Sequence, residues 1–167
     1  MNLLIENRKA HMEYTMVETF EAGIRLTGSE VKMLRLKRGS LVGAHVRVLN
    51  GEAVLLNAQI LPYPFSRNDD YDPKSTRKLL LHKREILKLQ QAQETKGLAL
   101  IPLSIGVAHN FIKVRVAIAR GKKVYERREE LKKRDLQRES ERELKRKEKK
   151  VYNNPKVREK GGICHMK

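Results

Sequence analysis

Side chains capable of catalysis are dispersed along this chain. His11, His45, His82, His109 and His165 lie far apart, Cys164 is the only cysteine, and no HExxH, CxxC or glycine-rich phosphate loop occurs. No catalytic residue, metal site or cofactor is therefore expected. Asp69, Asp70 and Asp72 lack the spacing of a calcium-binding loop and read as turn chemistry in a proline-rich loop. The chemistry that remains is cationic: 37 Lys and Arg face 20 Asp and Glu over 167 residues, a formal charge of +17. Solubility needs a net charge of only roughly 2 to 8. Lys and Arg that neutralise phosphates release condensed counterions, so nucleic acid is the expected partner. An acidic membrane surface fits less well, because the basic C-terminal region lacks the Trp, Phe and Leu face of an interfacial helix.

The charge is unevenly placed. Residues 1–119 carry +7 and residues 120–167 carry +10, and 23 of the 31 residues from Arg120 to Lys150 are charged. The second segment cannot build a core of its own. Two parts are expected: an RNA-binding domain over 1–119 and a basic tail over 120–167 that is disordered or conditionally helical. Glu129 with Lys133, Glu130 with Arg134, Glu141 with Lys145 and Glu143 with Lys147 are i,i+4 pairs worth about 0.2 to 0.5 kcal/mol each, too little to hold an isolated helix. The tail is expected to order on a partner. No apolar run approaches the roughly 20 residues that cross a bilayer, and Met1 to Lys9 lack the features of a signal peptide, so a cytoplasmic protein is expected.

The elements that must present these charges follow from periodicity. Met12, Tyr14, Met16 and Phe20 alternate as in a strand, Ala22-Gly23 offers a turn, and Ile24 and Leu26 resume the alternation. Thr27-Gly28-Ser29-Glu30 matches a capping box that starts a short helix, with Val31 and Leu34 inward and Gly39 as its stop. Asn50-Gly51 joins the β-rich runs Val46–Leu49 and Ala53–Leu56 into a hairpin. Pro62 to Ser75 reads as a long loop, Arg77 to Leu81 as a short strand, and His82 to Glu94 as an amphipathic helix using Ile86, Leu87 and Leu89. Leu98 to Val107 reads as a buried strand. In the last strand Ile112, Val114, Val116 and Ile118 alternate with a basic face containing Lys113 and Arg115. About six strands and two short helices without a βαβ rhythm predict a mainly β fold, a small closed antiparallel barrel.

Few aromatics can stack on bases. Tyr14 and Phe20 read as core, while Phe65, Phe111 and Tyr125 are available. Tyr125, just after Gly121-Lys122-Lys123, either stacks between cations on an exposed base or packs back on the barrel.

Seven ordered blocks are similar to one family: Asn7-Arg8-Lys9-Ala10, Phe20-Glu21-Ala22-Gly23, Leu26 to Lys32, Asn50-Gly51-Glu52-Ala53, Asp72-Pro73, Arg77 to Ile86, and Gly121-Lys122-Lys123. Over about Asn7 to Lys147 the chain closely resembles the small protein B family, the SsrA-binding proteins that partner transfer-messenger RNA in bacterial trans-translation. The resemblance implies an oligonucleotide-binding-type barrel that holds the tRNA-like domain of that RNA. It also implies a basic tail that enters the empty messenger channel of a stalled 70S ribosome beside small-subunit rRNA, with no catalysis of its own. By position, Asn7, Glu21 and Leu80 correspond to the surface meeting the tRNA-like domain, and the charges of Lys9 and Arg77 suit phosphate contacts. Glu21 would accept hydrogen bonds from base or sugar groups, since a carboxylate repels phosphate. In the tail, Gly121, Lys122 and Lys123 match directly and Tyr125 occupies a position for a ring able to stack in the decoding centre. Glu126, Arg127 and Arg128 replace the family's usual Asp-Lys-Arg, keeping the signs of charge while changing reach.

A barrel with a basic extension also fits a ribosomal or ribosome-assembly protein, and composition alone does not separate the two. Neither reading calls for a membrane, and a monomer is expected.

Overall fold

The computed structural model describes residues 1–65, 71–123, 125 and 139–140. Two compact units divide the chain, Met1–Lys122 and Lys123–Lys167. The first contains β1 (Asn2–Glu6), α1 (Arg8–Glu13), β2 (Tyr14–Ile24), α2 (Gly28–Arg35), β3 (Gly39–Ser40), β4 (His45–Leu49), β5 (Glu52–Leu56), β6 (Gln59–Ile60), β7 (Arg77–Leu80), α3 (Lys83–Glu94), β8 (Leu98–Ala108) and β9 (Phe111–Gly121). In the second unit Tyr125, Glu139 and Ser140 are helical.

The first unit is mainly β with three short helices among its described residues, and seven strands form one antiparallel sheet in the order β1-β8-β9-β2-β7-β5-β4, beside a two-stranded β3-β6 ribbon. The expected closed barrel is not found. β1 and β4 end the order, and no ladder joins β4 to β8, although the two strands approach each other. The reason lies in α3, which packs against both. Its Gln93 side chain accepts from Val48 N–H at 2.8 Å and donates to Val48 C=O at 3.4 Å. A carboxamide carries one donor edge and one acceptor, like a peptide unit, so Gln93 occupies the β4 edge that a closing strand would use.

Local signals translate directly. Asn50 and Gly51 adopt φ of 50° and 75°, and Leu49 pairs with Glu52, so the turn between β4 and β5 is the two-residue type that needs positive φ at both positions. His109 and Asn110 form an equivalent turn between β8 and β9, with φ of 48° and 65°. Thr27 Oγ1 accepts from Glu30 N–H at 3.4 Å and Glu30 accepts from Thr27 N–H at 2.8 Å, completing the capping box of α2. That helix stops two residues before the expected Gly39. Lys37 takes the left-handed conformation at φ 57°, donating to Leu34 C=O while Arg38 donates to Met33 C=O. Met33 and Leu34 are buried, whereas Val31 is half-buried. In α3 Leu89 and Ala92 face inward and Leu87 is exposed, contrary to its expected place on the buried face.

Two further expectations fail, at Ala22-Gly23 and at Met12, and two elements, α1 and β1, were not expected. β2 runs unbroken through Ala22-Gly23, where a turn was expected, because β9 and β7 pair with it on either side. Met12 belongs to α1, a helix not expected at all, and Leu3 and Ile5 belong to β1, paired with β8 about a hundred residues away.

One core fills the inner face of the sheet beneath α2 and α3, with Leu34, Leu55, Leu79, Leu89, Val114 and Val116 each 2% exposed or less. A second cluster of Ala10, Ile101, Leu103, Ala117 and Ala119 lies under α1. Hence the alternation of β9 gives way after Val116, where both faces are covered.

Gly39 marks a close approach: a Cβ there would lie 2.8 Å from Ile5 Cδ1 and 3.0 Å from the Gln59 carbonyl oxygen. Gly39→Ala is expected to lower the unfolding free energy by about 1 to 3 kcal/mol in urea titrations. An unchanged midpoint would show that β1 and β6 yield freely.

Candidate nucleic-acid interface

The outer face of the sheet is built by alternation. In β2 Phe20 and Ala22 point into the core, so Glu21 and Gly23 point outward. Register then sets their neighbours: Glu21 lies opposite Arg115 of β9, and Gly23 lies between Lys113 of β9 and Leu80 of β7. Leu80 is 56% exposed and leans over Gly23, its Cβ 3.2 Å from where a Cβ on Gly23 would be. Glu21, Lys113 and Arg115 form no ion pairs among the described residues. The face thus offers an apolar contact, two cations and one carboxylate acceptor within three adjacent strands. The outward alternation carries this grouping; the pairing of β2 with β7 cannot be read from it.

Two expected contact residues are inside the protein. Asn7 is 4% exposed; its Nδ2 donates to Leu41 C=O and to Pro102 C=O, both at 3.1 Å, and its Oδ1 accepts from Ala10 N–H at 3.2 Å as the N-cap of α1. It therefore acts by holding α1 against the sheet, with no polar atom left for RNA. Arg77 is 3% exposed, so its expected phosphate contact is corrected as well. Its Nε donates to Glu30 Oε1 at 2.7 Å, Nη1 to Ala58 C=O at 2.6 Å and Ser75 C=O at 2.9 Å, and Nη2 to Pro73 C=O at 3.1 Å and the Tyr71 hydroxyl at 3.2 Å. All five N–H groups of the guanidinium are used.

Glu30 is correspondingly ionised. Burial pushes its carboxyl pKa up, but the Thr27 N–H and the Arg77 hydrogen bond and charge outweigh this and hold it below the ordinary value. Burial and then the Glu30 charge raise the Tyr71 hydroxyl, which therefore stays protonated.

Lys9 is exposed on α1 and borders a cleft of about 490 Å³ in the gap between β4 and β8, together with Tyr14, His45 and Arg47. Gly121 ends β9 opposite Tyr14, and Lys122 N–H donates to Glu13 C=O at 2.9 Å while its Nζ donates to His11 C=O at 3.1 Å. Lys122 is thereby tied to the end of α1. In the other unit Lys123 is exposed and Tyr125 is 58% exposed. Glu126, Arg127 and Arg128 lie outside the described residues, as do Asp69 and Asp70. No described helix is long and apolar enough to cross a membrane.

An antiparallel sheet whose outer face combines cations, an acceptor and an exposed leucine has the chemistry of the surfaces that β-sheet RNA-binding proteins present. The sequence profile of the SmpB protein matches residues 4–146, and the chain belongs to that family. It is 46% identical over 145 residues to the SsrA-binding protein of Pelotomaculum thermopropionicum, covering 87% of this chain and 95% of that one. It is 48% identical over 143 residues to the SsrA-binding protein of Aquifex aeolicus, covering 85% and 91%. A solved structure described as "tmRNA-SmpB: a journey to the center of the bacterial ribosome" aligns with a TM-score of 0.62 at 44% identity, over 72% of this chain and 85% of that one.

Replacing Glu30 leaves Arg77 buried without its counter-charge. Glu30→Gln is expected to cost about 3 to 5 kcal/mol in denaturant unfolding. Because the native pKa is lowered, this carboxylate contributes fully above the ordinary carboxyl value and its contribution is lost as pH falls from there to the native value. The variant should therefore lose stability less steeply on acidification than the wild type, and parallel acid limbs would refute the assignment.

Proposed function

We propose that this protein binds the tRNA-like domain of transfer-messenger RNA through the outer face around Glu21, Lys113, Arg115 and Leu80, and delivers that RNA to stalled ribosomes for trans-translation. The observation that carries the proposal is the grouping of Glu21 and Leu80 with two cations that form no ion pair among the described residues, in a chain whose SmpB match spans residues 4–146. Phosphate attraction alone would bind any RNA; Glu21 supplies what an unrelated polyanion cannot use, an acceptor for base or sugar donors. Lys9 contributes a phosphate contact at the cleft, while Asn7 and Arg77 position α1 and β7.

The basic tail, with Lys122, Lys123, Tyr125, Glu126, Arg127 and Arg128 near its start, probes the empty messenger channel and decoding centre. It orders there against small-subunit rRNA, and a channel filled by messenger leaves it no space in which to fold. The protein works in the cytoplasm as an adaptor and catalyses no reaction. A ribosomal or assembly protein would instead hold ribosomal RNA in constant stoichiometry.

The test is affinity for the isolated tRNA-like domain against an unrelated tRNA. Glu21→Ala should weaken the specific complex about 10- to 100-fold, the value of a hydrogen bond to a charged group. Equal affinity for both RNAs would overturn the reading. Truncation after Lys122 leaves β9 whole and keeps the contacts of Lys122 with α1, so RNA binding should persist while tagging of stalled chains is lost. Loss of both activities, or of neither, would refute the division into sheet domain and tail.

A further inference from the structure

A second surface stands out along α2. Between Glu30, which is buried, and Glu52 the sequence contains no acidic residue, yet it contains Lys32, Arg35, Lys37 and Arg38 in and just after α2. All four are exposed and none forms an ion pair among the described residues. The chain returns to this helix after β6, where Leu61 N–H donates to Arg38 C=O at 3.2 Å. An aromatic pair follows, beside Lys32. The Tyr63 and Phe65 rings meet edge to face at 5.6 Å and 64°, and Lys32 Nζ lies 4.9 Å from the Tyr63 centroid.

The two rings play different parts. Tyr63 is half-buried and packs against the main core, so it is anchored. Phe65 is 85% exposed and, among the described residues, is steadied by the edge of Tyr63. A single exposed apolar side chain needs no explanation, but an exposed ring held by an anchored one, with Lys32 over the anchored ring and Arg35, Lys37 and Arg38 following in and just after the same helix, has a specific chemical complement. A planar ring stacks on the Phe65 face, and anionic groups on either side of it meet Lys32, Arg35 and Arg38.

We infer that Tyr63, Phe65 and the cations of α2 form a second RNA contact, which stacks an unpaired nucleobase on Phe65 and holds the flanking phosphates by the α2 cations. This rests on the RNA-binding reading of the chain and adds to it a site separate in sequence from Glu21, Leu80 and the tail. The charge favours RNA over a protein partner: an apolar protein surface would leave four cations unmatched, whereas a looped strand brings a phosphate with each base. Two sources share this chemistry, an unpaired loop of transfer-messenger RNA and an exposed base of ribosomal RNA.

The experiment compares full-length wild type with Phe65→Ala, Phe65→Trp and Arg35→Gln/Arg38→Gln in two arms, binding to purified transfer-messenger RNA and binding to 70S ribosomes, each over a range of salt. Phe65→Ala should weaken one arm about 5- to 150-fold, the range for loss of one base–aromatic stack, with an unchanged slope of log affinity against log salt. Phe65→Trp should restore binding. The double arginine variant should lower the slope by about 0.7 for each phosphate released. The arm that responds identifies the source of the base. Phe65→Ala within twofold of wild type in both arms would overturn the site, and because Phe65 contributes nothing to the core, that result would not reflect unfolding. The reading it rests on fails differently: wild type would then show no preference for the tRNA-like domain over unrelated tRNA, whatever Phe65→Ala does.

Discussion

The buried pair of Arg77 and Glu30 is the joint through which the parts of this domain meet. Arg77 begins β7, Glu30 lies in the first turn of α2, and the other acceptors, Ala58, Tyr71, Pro73 and Ser75, belong to the long connection between β5 and β7. Removing two charges from water costs several kcal/mol per ion, and the attraction between them repays this only when geometry is good and every remaining polar atom is satisfied. Here all five guanidinium N–H groups have acceptors and the carboxylate is bonded by Thr27 N–H as well. Such a network adds less to net stability than to definition, because a displacement of α2 or of the connection leaves a charge unpaired in the interior. A helix, a strand and a loop are fixed by one side chain.

The consequence for function runs along β7. Arg77 sets where this four-residue strand starts, and three residues on, Leu80 lies over Gly23 of β2. Leu80 can occupy that place because Gly23 has no side chain, and the outer face depends on both. Asn7 does for α1 what Arg77 does for β7, spending its side-chain polar atoms on Leu41, Pro102 and Ala10. Lys9 is positioned as a result. Family blocks built around these two residues therefore reflect the frame of the fold, beneath the surface proposed as the interface.

How much of this was legible in the sequence depended on the distance between partners. The Asn50-Gly51 turn, the Thr27–Glu30 box and the alternation of β9 rest on neighbours within a few positions; the first two appear in the structure as expected and the alternation holds as far as Val116. β1 was hidden because Leu3 and Ile5 make a strand only against Gly106 and Ile105. α1 was hidden because six residues are too few to show a helical period, and its N-cap reads as a surface asparagine. Arg77 looked like a phosphate ligand because its counter-charge is 47 positions away. The closed barrel was expected from strand count, and what prevents it is Gln93, a polar helix residue indistinguishable in sequence from a solvated one. Glu21 and Leu80 could be nominated from the family resemblance, yet their place on one face follows only from the pairing of β2 with β7.

Charge, which dominates the composition, is thus a poor guide to where specificity resides. Arg77 is unavailable to RNA, and Lys78 and Lys88 are paired at the surface with Glu52 and Glu18. Exposed pairs of that kind are worth at most about 1 kcal/mol and open readily when a phosphate arrives. On the outer face the arrangement is stricter. A phosphate approaching Arg115 also approaches Glu21 across the ladder, so part of its attraction is cancelled. Only a ligand that brings a hydrogen-bond donor to Glu21 while presenting its phosphate to Arg115 recovers both terms, with Leu80 beside them excluding water. If this face is the RNA surface proposed above, the single carboxylate among its cations would lower affinity for arbitrary polyanions and leave affinity for a correctly shaped RNA intact, and Glu21 would then govern partner choice more than Lys113 or Arg115 alone.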